Sequence, residues 1–299
     1  MTMAQFIMDG LTVGGVYGLI ALGFHLVLES TGLIDFAHGE KVSLGGLVVL
    51  ALSGGAFQGS AVSGVSSPIA LPMPIAIVMA LALGFGLGIA YERLVVAPTM
   101  QAPGAVSIMA TLGGGLFLLH GRGIVWGQHG LPFPPLIDGA FVLGPVQVQI
   151  QSLCILGATA AAVLGLDWYF RHTRYGKAMI AAATDSAAAS LVGIDTGRTR
   201  MLAFGLSFTL AVLAGILIAP ITLAGGTVGS ALGLKGFAGA VIGGLGSPYA
   251  VVGGSLLIGV LEHVISGLTS YGYRDPTVSV LLIGCLLLKP SGLFAARRR

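Results

Sequence analysis

Two groups of residues in this chain are of types that could do chemistry. In residues 29–41, ESTGLIDFAHGEK, the ionisable side chains of Glu29, Asp35, His38, Glu40 and Lys41 crowd between apolar flanks, and Glu262 and His263 stand side by side in a later apolar run. Carboxylates near imidazoles are the material of proton relays and metal sites. A metal is disfavoured, because His38 and Glu40 have no third ligand at a plausible spacing. Cys154 and Cys285 fall inside apolar runs as small packing residues, which supports neither a disulfide framework nor a Cys-based metal site. The first group reads two ways. It is either an ordinary solvated turn or a re-entrant hinge lining a transport path, since ionisable residues at membrane depth are functional hypotheses by default.

Enzymatic chemistry finds little support. There is no G-x-S-x-G elbow, no H-E-x-x-H and no paired Cys spacing; the only Gly-Lys, Gly176-Lys177, is followed by Ala and lacks the upstream glycine of a phosphate loop. No catalytic residue, metal or cofactor is assigned to the chain. If it performs active transport, the energy comes from ions or from a partner.

The elements that position these residues are membrane helices. The chain is 55% hydrophobic and 8% charged, with a mean hydropathy of +0.97, far from a soluble domain. Charge-free runs at 42–91, 139–166, 201–234 and 236–261 each reach or exceed the roughly 20 residues a helix needs to cross. Alternation at period two is absent, which favours helices over a barrel. The net charge of +3 bears on topology, and nothing points to nucleic acid. The start, MTMAQFIMDG, has no basic region ahead of its apolar run and reads as the mature start.

In order, spans are expected at about 6–28, 42–57, 73–92, 104–121 and 148–169, then 201–223, a short or broken one at 229–246, 249–265 and a short 276–288. Gly10, Gly14 and Gly18, and again Gly84 and Gly88, form rows that let helices approach closely. Pro68, Pro72 and Pro74 break the second run, and a Pro/Gly-rich loop containing Asp138 follows the fourth span. The fold class is an all-α polytopic bundle of about 8–10 transmembrane helices, broken or re-entrant segments included, in a single domain over 1–299. Glycine-interrupted segments occur in both halves, IDFAHGEKVSLGG and LKGFAGAVIGGLGSP. Unwound backbone is tolerated in a bilayer only where protein or water surrounds it, so Asp35, His38, Gly39, Glu40, Gly239, Gly243 and Gly244 are candidate path or hinge residues. Tight helix packing explains the glycines equally well.

The longest polar interruption is 171–200, RHTRYGKAMIAAATDSAAASLVGIDTGRTR, with Arg171, Arg174, Lys177, Arg198 and Arg200 at its ends. Basic residues beside spans mark the cytoplasmic side. The Ala-rich middle has high helix propensity and little bulk, and Thr184 and Asp185 can cap a second short helix. A compact helical knuckle suited to docking is expected there. With it in the cytoplasm, the N-terminus lies outside and the C-terminus inside, with Lys289, Arg297, Arg298 and Arg299.

Four segments in order, GLIDFAHGE (32–40), TRYGKAMIAAATDSAAASLVGI (173–194), LKGFAGAVIGGLGS (234–247) and KPSGLF (289–294), closely resemble the membrane-spanning permease subunits of branched-chain amino-acid ABC importers. The resemblance covers essentially the whole chain. It implies a second permease subunit, identical or paralogous, two cytoplasmic ATPase subunits that bind ATP and Mg, and an external solute-binding protein, in a prokaryotic inner membrane. It makes 171–200 the coupling loop, with Gly176, Ala178, Ala182, Asp185, Leu191, Gly193 and Ile194 on its recurring positions. Asp35 stands where Asn is more usual in the family. A permease for urea or short amides fits the same resemblance. From another class, an ion-coupled transporter would use Glu29, His38, Glu40, Glu262 or His263 as proton sites, and a membrane enzyme would use His38 and Glu40 or Glu262 and His263.

Overall fold

The computed structural model describes residues 3–54, 70–100, 102–137, 139–143 and 146–294. The expected break at Pro68, the end of the second expected span, Asp138 and the Arg297–Arg299 cluster lie outside them. The long helices are α1 (Met3–Thr31), α3 (Met73–Tyr91), α4 (Gly104–Trp126), α5 (Ile150–His172), α8 (Thr196–Ile218) and α10 (Pro248–Leu268). α3 continues through a π-helical turn at Glu92–Val96 and a 3₁₀ turn at Ala97–Thr99. With that continuation, these six are long and apolar enough to cross a membrane.

Helices also stand at the remaining expected spans, but they are short. α2 (His38–Leu52) has 15 residues, α9 (Val228–Gly243) 16 and α11 (Arg274–Leu288) 15. At about 1.5 Å per residue each falls short of a ~30 Å hydrocarbon core. The polytopic helical membrane fold is thus six full-length helices plus broken-type segments, among the described residues. Two boundaries differ from expectation in a way that matters. α2 begins at His38 and α4 runs on to Trp126, which carries Glu40, Lys41 and Arg122 into helices instead of loops.

Two compact units make up the chain, and the boundaries between them fall within α1, α5 and α9 and between Pro134 and Pro135. The unit formed by Leu26–Pro134 and Asp167–Ala231 is built on α8, onto which α2 and α3 press at glycines carried by all three helices. A Cβ on Gly215 would overlap the Val42 carbonyl oxygen, one on Gly45 the Val212 carbonyl oxygen, and one on Gly88 the Phe204 carbonyl oxygen. Contacts of that closeness are made backbone to backbone, the geometry that small residues give membrane helices. Strands β1 (Gly130–Leu131) and β4 (Ala224–Gly225) pair antiparallel, Gly130 opposite Gly225.

The other unit, Met1–His25, Pro135–Leu166 and Leu232–Arg299, centres on α10. Gly10 and Gly14 of α1 lie against it, a Cβ on Gly10 falling 2.7 Å from Val260 Cα and one on Gly14 2.9 Å from Leu256 Cα. Within the expected Pro/Gly-rich loop a hairpin forms from β2 (Ala140–Leu143) and β3 (Val146–Gln149). Gln5 secures it, accepting from Gln147 N at 2.9 Å and donating to Gln147 O at 3.1 Å. The KPSGLF ending folds onto the last turn of α9. Leu293 N donates to Ile242 O at 2.7 Å and Phe294 N to Gly243 O at 3.1 Å, supplying partners for carbonyls that a helix end leaves open.

Candidate functional site

Residues 171–200 form α6 (Arg174–Thr184) and α7 (Ser186–Leu191), each opened by a side-chain cap. Thr173 accepts from Gly176 N at 3.0 Å; Asp185 accepts from Ala187 N at 3.0 Å and Ala188 N at 2.9 Å. These bonds satisfy N–H groups that the first turn cannot pair internally. Thr184 turns back to Ile180 O instead, so Asp185 alone caps α7. Gly193, at φ +85°, closes α7 while Ile194 N reaches back to Ala189 O at 3.0 Å, the left-handed ending that glycine adopts without steric cost.

The positions expected to serve coupling divide by environment. Gly176 packs on the end of α5, where a Cβ would overlap the Tyr169 carbonyl oxygen, and Ala182 is buried. These two seat the knuckle on its own unit. Ala178 and Ile194 are half-buried, whereas Leu191 is 89% exposed and the neighbouring Val192 77%. Tyr175 and Ile180 add further exposed apolar surface. Of the basic flank, Arg171 and Arg198 are exposed on local partners Asp167 and Asp195. Arg200 instead turns inward to the buried Glu92 in the π-helical turn.

The 29–41 segment is not a solvated turn, because Asp35, His38, Glu40 and Lys41 are all buried. His38 Nδ1 lies 3.4 Å from Ser207 Oγ, at the midpoint of α8. A Cβ on Gly115, the midpoint of α4, would lie 3.2 Å from Ala37 Cα. The N-terminus of α2 therefore stands halfway along two membrane-length helices. Asp35 pairs with Lys41, whose ammonium sits 4.0 Å above the Tyr91 ring and 5.3 Å from Phe204 and Phe208. That cage answers both charges locally. Glu40 faces the other way, with Oε2 3.4 Å from Arg122 Nη2 and Oε1 accepting from Ser230 Oγ at 2.5 Å. Gly39 brings α9 close: a Cβ on Gly229 would lie 2.5 Å from its carbonyl oxygen.

The later candidates belong to the other unit. Gly239 and Gly243 press α9 onto α10, a Cβ on Gly239 falling 2.9 Å from Ser255 Cα and one on Gly243 2.9 Å from Val251 Cα. Gly244, at φ +92°, ends α9. Glu262 and His263 form a charged cluster there. Tyr17 Oη donates to Glu262 Oε2 at 2.9 Å, Lys235 bridges Glu262 and Asp275 at 2.8 Å each, and Arg274 contacts His263. Among the described residues no group of three His, Cys, Asp or Glu is placed to hold a metal.

Arg122, Ser230 and Lys235 were not singled out by sequence. One signal was available: Arg122 is the only Lys or Arg between Arg93 and Arg171, and Lys235 the only one between Arg200 and Arg274. A lone cation in so apolar a setting calls for a buried partner.

Residues 6–289 match the family model described as branched-chain amino acid transport system / permease component. The chain is 31% identical over 295 residues to the high-affinity branched-chain amino acid transport system permease protein LivH of Escherichia coli K12, covering 97% of this chain and 94% of that protein. LivH of Salmonella typhimurium is similar to the same extent. To the permease protein BraD of Pseudomonas aeruginosa it is 30% identical over 295 residues, again 97% and 94% of the two chains. No solved structure matches the chain. A family model spanning nearly the whole sequence, with relatives aligned almost end to end, shows what the chain is: a membrane-spanning permease of the branched-chain amino acid transport system permease family.

Proposed function

We propose that this chain is the permease subunit of an ATP-binding-cassette importer in a prokaryotic inner membrane, carrying branched-chain or related amino acids. An extracytoplasmic solute-binding protein delivers the substrate, and a second permease, identical or paralogous, completes the pore. Two cytoplasmic ATPase subunits bind the ATP and Mg. The observation that carries this reading is the near-complete alignment with LivH and BraD, whose names give that cargo.

The structure supports a mechanism for it. α6 and α7 are capped, seated on α5 through Gly176, and end in the exposed Leu191 and Val192. In an ATPase groove these two side chains bury apolar surface, and the rigid pair carries the movement of ATP-driven closure into α5 and α8. The exposed Arg171, Arg174, Lys177 and Arg198 hold this face in the cytoplasm, with the N-terminus outside and the C-terminus inside. Short α2, starting halfway along its neighbours, lines the path with Asp35, His38, Gly39 and Glu40 as its hinge.

Reconstitution of the complete importer in liposomes tests the reading. ATP-dependent uptake of leucine, isoleucine or valine that requires the binding protein is expected. Uptake of urea or a short amide, with none of these amino acids carried, would reassign the cargo, and uptake abolished by an uncoupler but indifferent to ATP would reject the importer.

A further inference from the structure

We propose that Arg122 binds the carboxylate of the transported zwitterion, an assignment that rests on the amino-acid permease reading above. Its side chain is 1% exposed. Of the five N–H donors of a guanidinium, only those on Nη2 face an acceptor, Glu40 Oε2 at 3.4 Å; Nε and Nη1 are buried and have no hydrogen-bond partner among the described residues. Native interiors rarely leave such donors unanswered without a functional reason.

The surroundings select the ligand. Glu40 is the third residue of α2 and Ser230 the third of α9, and the two are hydrogen-bonded; the second residues, Gly39 and Gly229, bring the helix starts together. Two helix N-termini thus converge beside Arg122, each equivalent to roughly half a positive charge. Against the single negative charge of Glu40, the sum favours one more negative charge. A carboxylate meets that requirement and matches the planar fork of arginine. A second anionic group would face Glu40 directly, whereas the ammonium of a zwitterion gains from it. Ser230 is exposed, so the cluster is not sealed from its surroundings.

The test uses the complete importer in liposomes, with radiolabelled L-leucine as the probe. Arg122→Lys keeps the charge beside Glu40 but loses the fork, and uptake at limiting leucine is expected to fall about tenfold or more. The double variant Arg122→Met/Glu40→Gln removes both charges, leaving no buried ion alone. A purely structural pair predicts that this variant recovers transport; a carboxylate ligand predicts that it assembles with the ATPase subunits and stays inactive. Wild-type uptake rates in either variant would overturn the proposal while leaving the importer intact. Failure of both variants to assemble would assign Arg122 to folding and overturn it equally. A wild-type importer that carries urea and no leucine would instead remove the amino-acid reading on which the proposal stands.

Discussion

Ser230 donates a hydrogen bond to Glu40 at 2.5 Å across 190 residues of chain, tying the first turn of α9 to the first turn of α2. Neither helix is long enough to cross a bilayer, so each depends on neighbours to answer its polar end. Ser230→Ala is expected to destabilise the detergent-solubilised protein by about 1.5–3 kcal/mol, the net worth of one hydrogen bond to a charged acceptor. Glu40→Ala leaves Arg122 buried without a counter-charge and should cost roughly 3–5 kcal/mol. Thermal unfolding of both variants checks the order; equal stability would show that the bond does not hold the two starts together.

Asp35 and Lys41 form a pair of which both members are almost fully buried. Asp35→Asn strips the ammonium of its counter-ion and should cost about 3–5 kcal/mol. Asp35→Asn combined with Lys41→Met removes both charges and should recover most of that loss. An additive double variant would mean that the two side chains do not depend on each other.

The α8 contacts predict a sharp contrast between glycines. Gly215→Ala drives a methyl into the Val42 carbonyl oxygen and should cost several kcal/mol or prevent folding, because backbone cannot yield as a side chain can. Gly86→Ala meets nothing within 4 Å and should be neutral or stabilising by up to about 1 kcal/mol. Expression and thermal stability in detergent read both.

Removing the α7 cap should affect coupling more than folding. Asp185→Ala leaves the N–H groups of Ala187 and Ala188 without their acceptor, a loss of about 1 kcal/mol confined to a six-residue helix. ATP-driven uptake is expected to fall while membrane insertion is unchanged, and Asp185→Ser should retain most of the activity. Equal uptake by Asp185→Ala and the unmodified protein would separate the cap from coupling.

Much of this fold is written in local pattern. Apolar runs mark the helices; the row Gly10, Gly14 and Gly18 marks a helix face, and the acidic side chain before an Ala-rich run marks the α7 cap. What escaped depends on distance along the chain. Glu40 reads as a loop carboxylate because the partners that bury it, Arg122 and Ser230, lie 82 and 190 residues away, and a one-dimensional pattern carries no pairing information. The same holds for Lys235 with Glu262. The ending KPSGLF is recognisable as a motif, but its reason appears only in three dimensions, where Leu293 and Phe294 supply N–H donors to the last carbonyls of α9.

The most direct test of the central claim is co-purification in mild detergent from the native membrane, combined with ATP-driven leucine uptake, comparing the unmodified chain with Leu191→Glu/Val192→Glu. Both side chains are exposed at the end of α7, so charges there should leave the permease folded. The unmodified chain is expected to bring down ATPase subunits and to transport, while the variant inserts normally but loses the ATPase subunits and uptake together. A variant that retains both, or an unmodified chain that purifies alone and is indifferent to ATP, would contradict that claim.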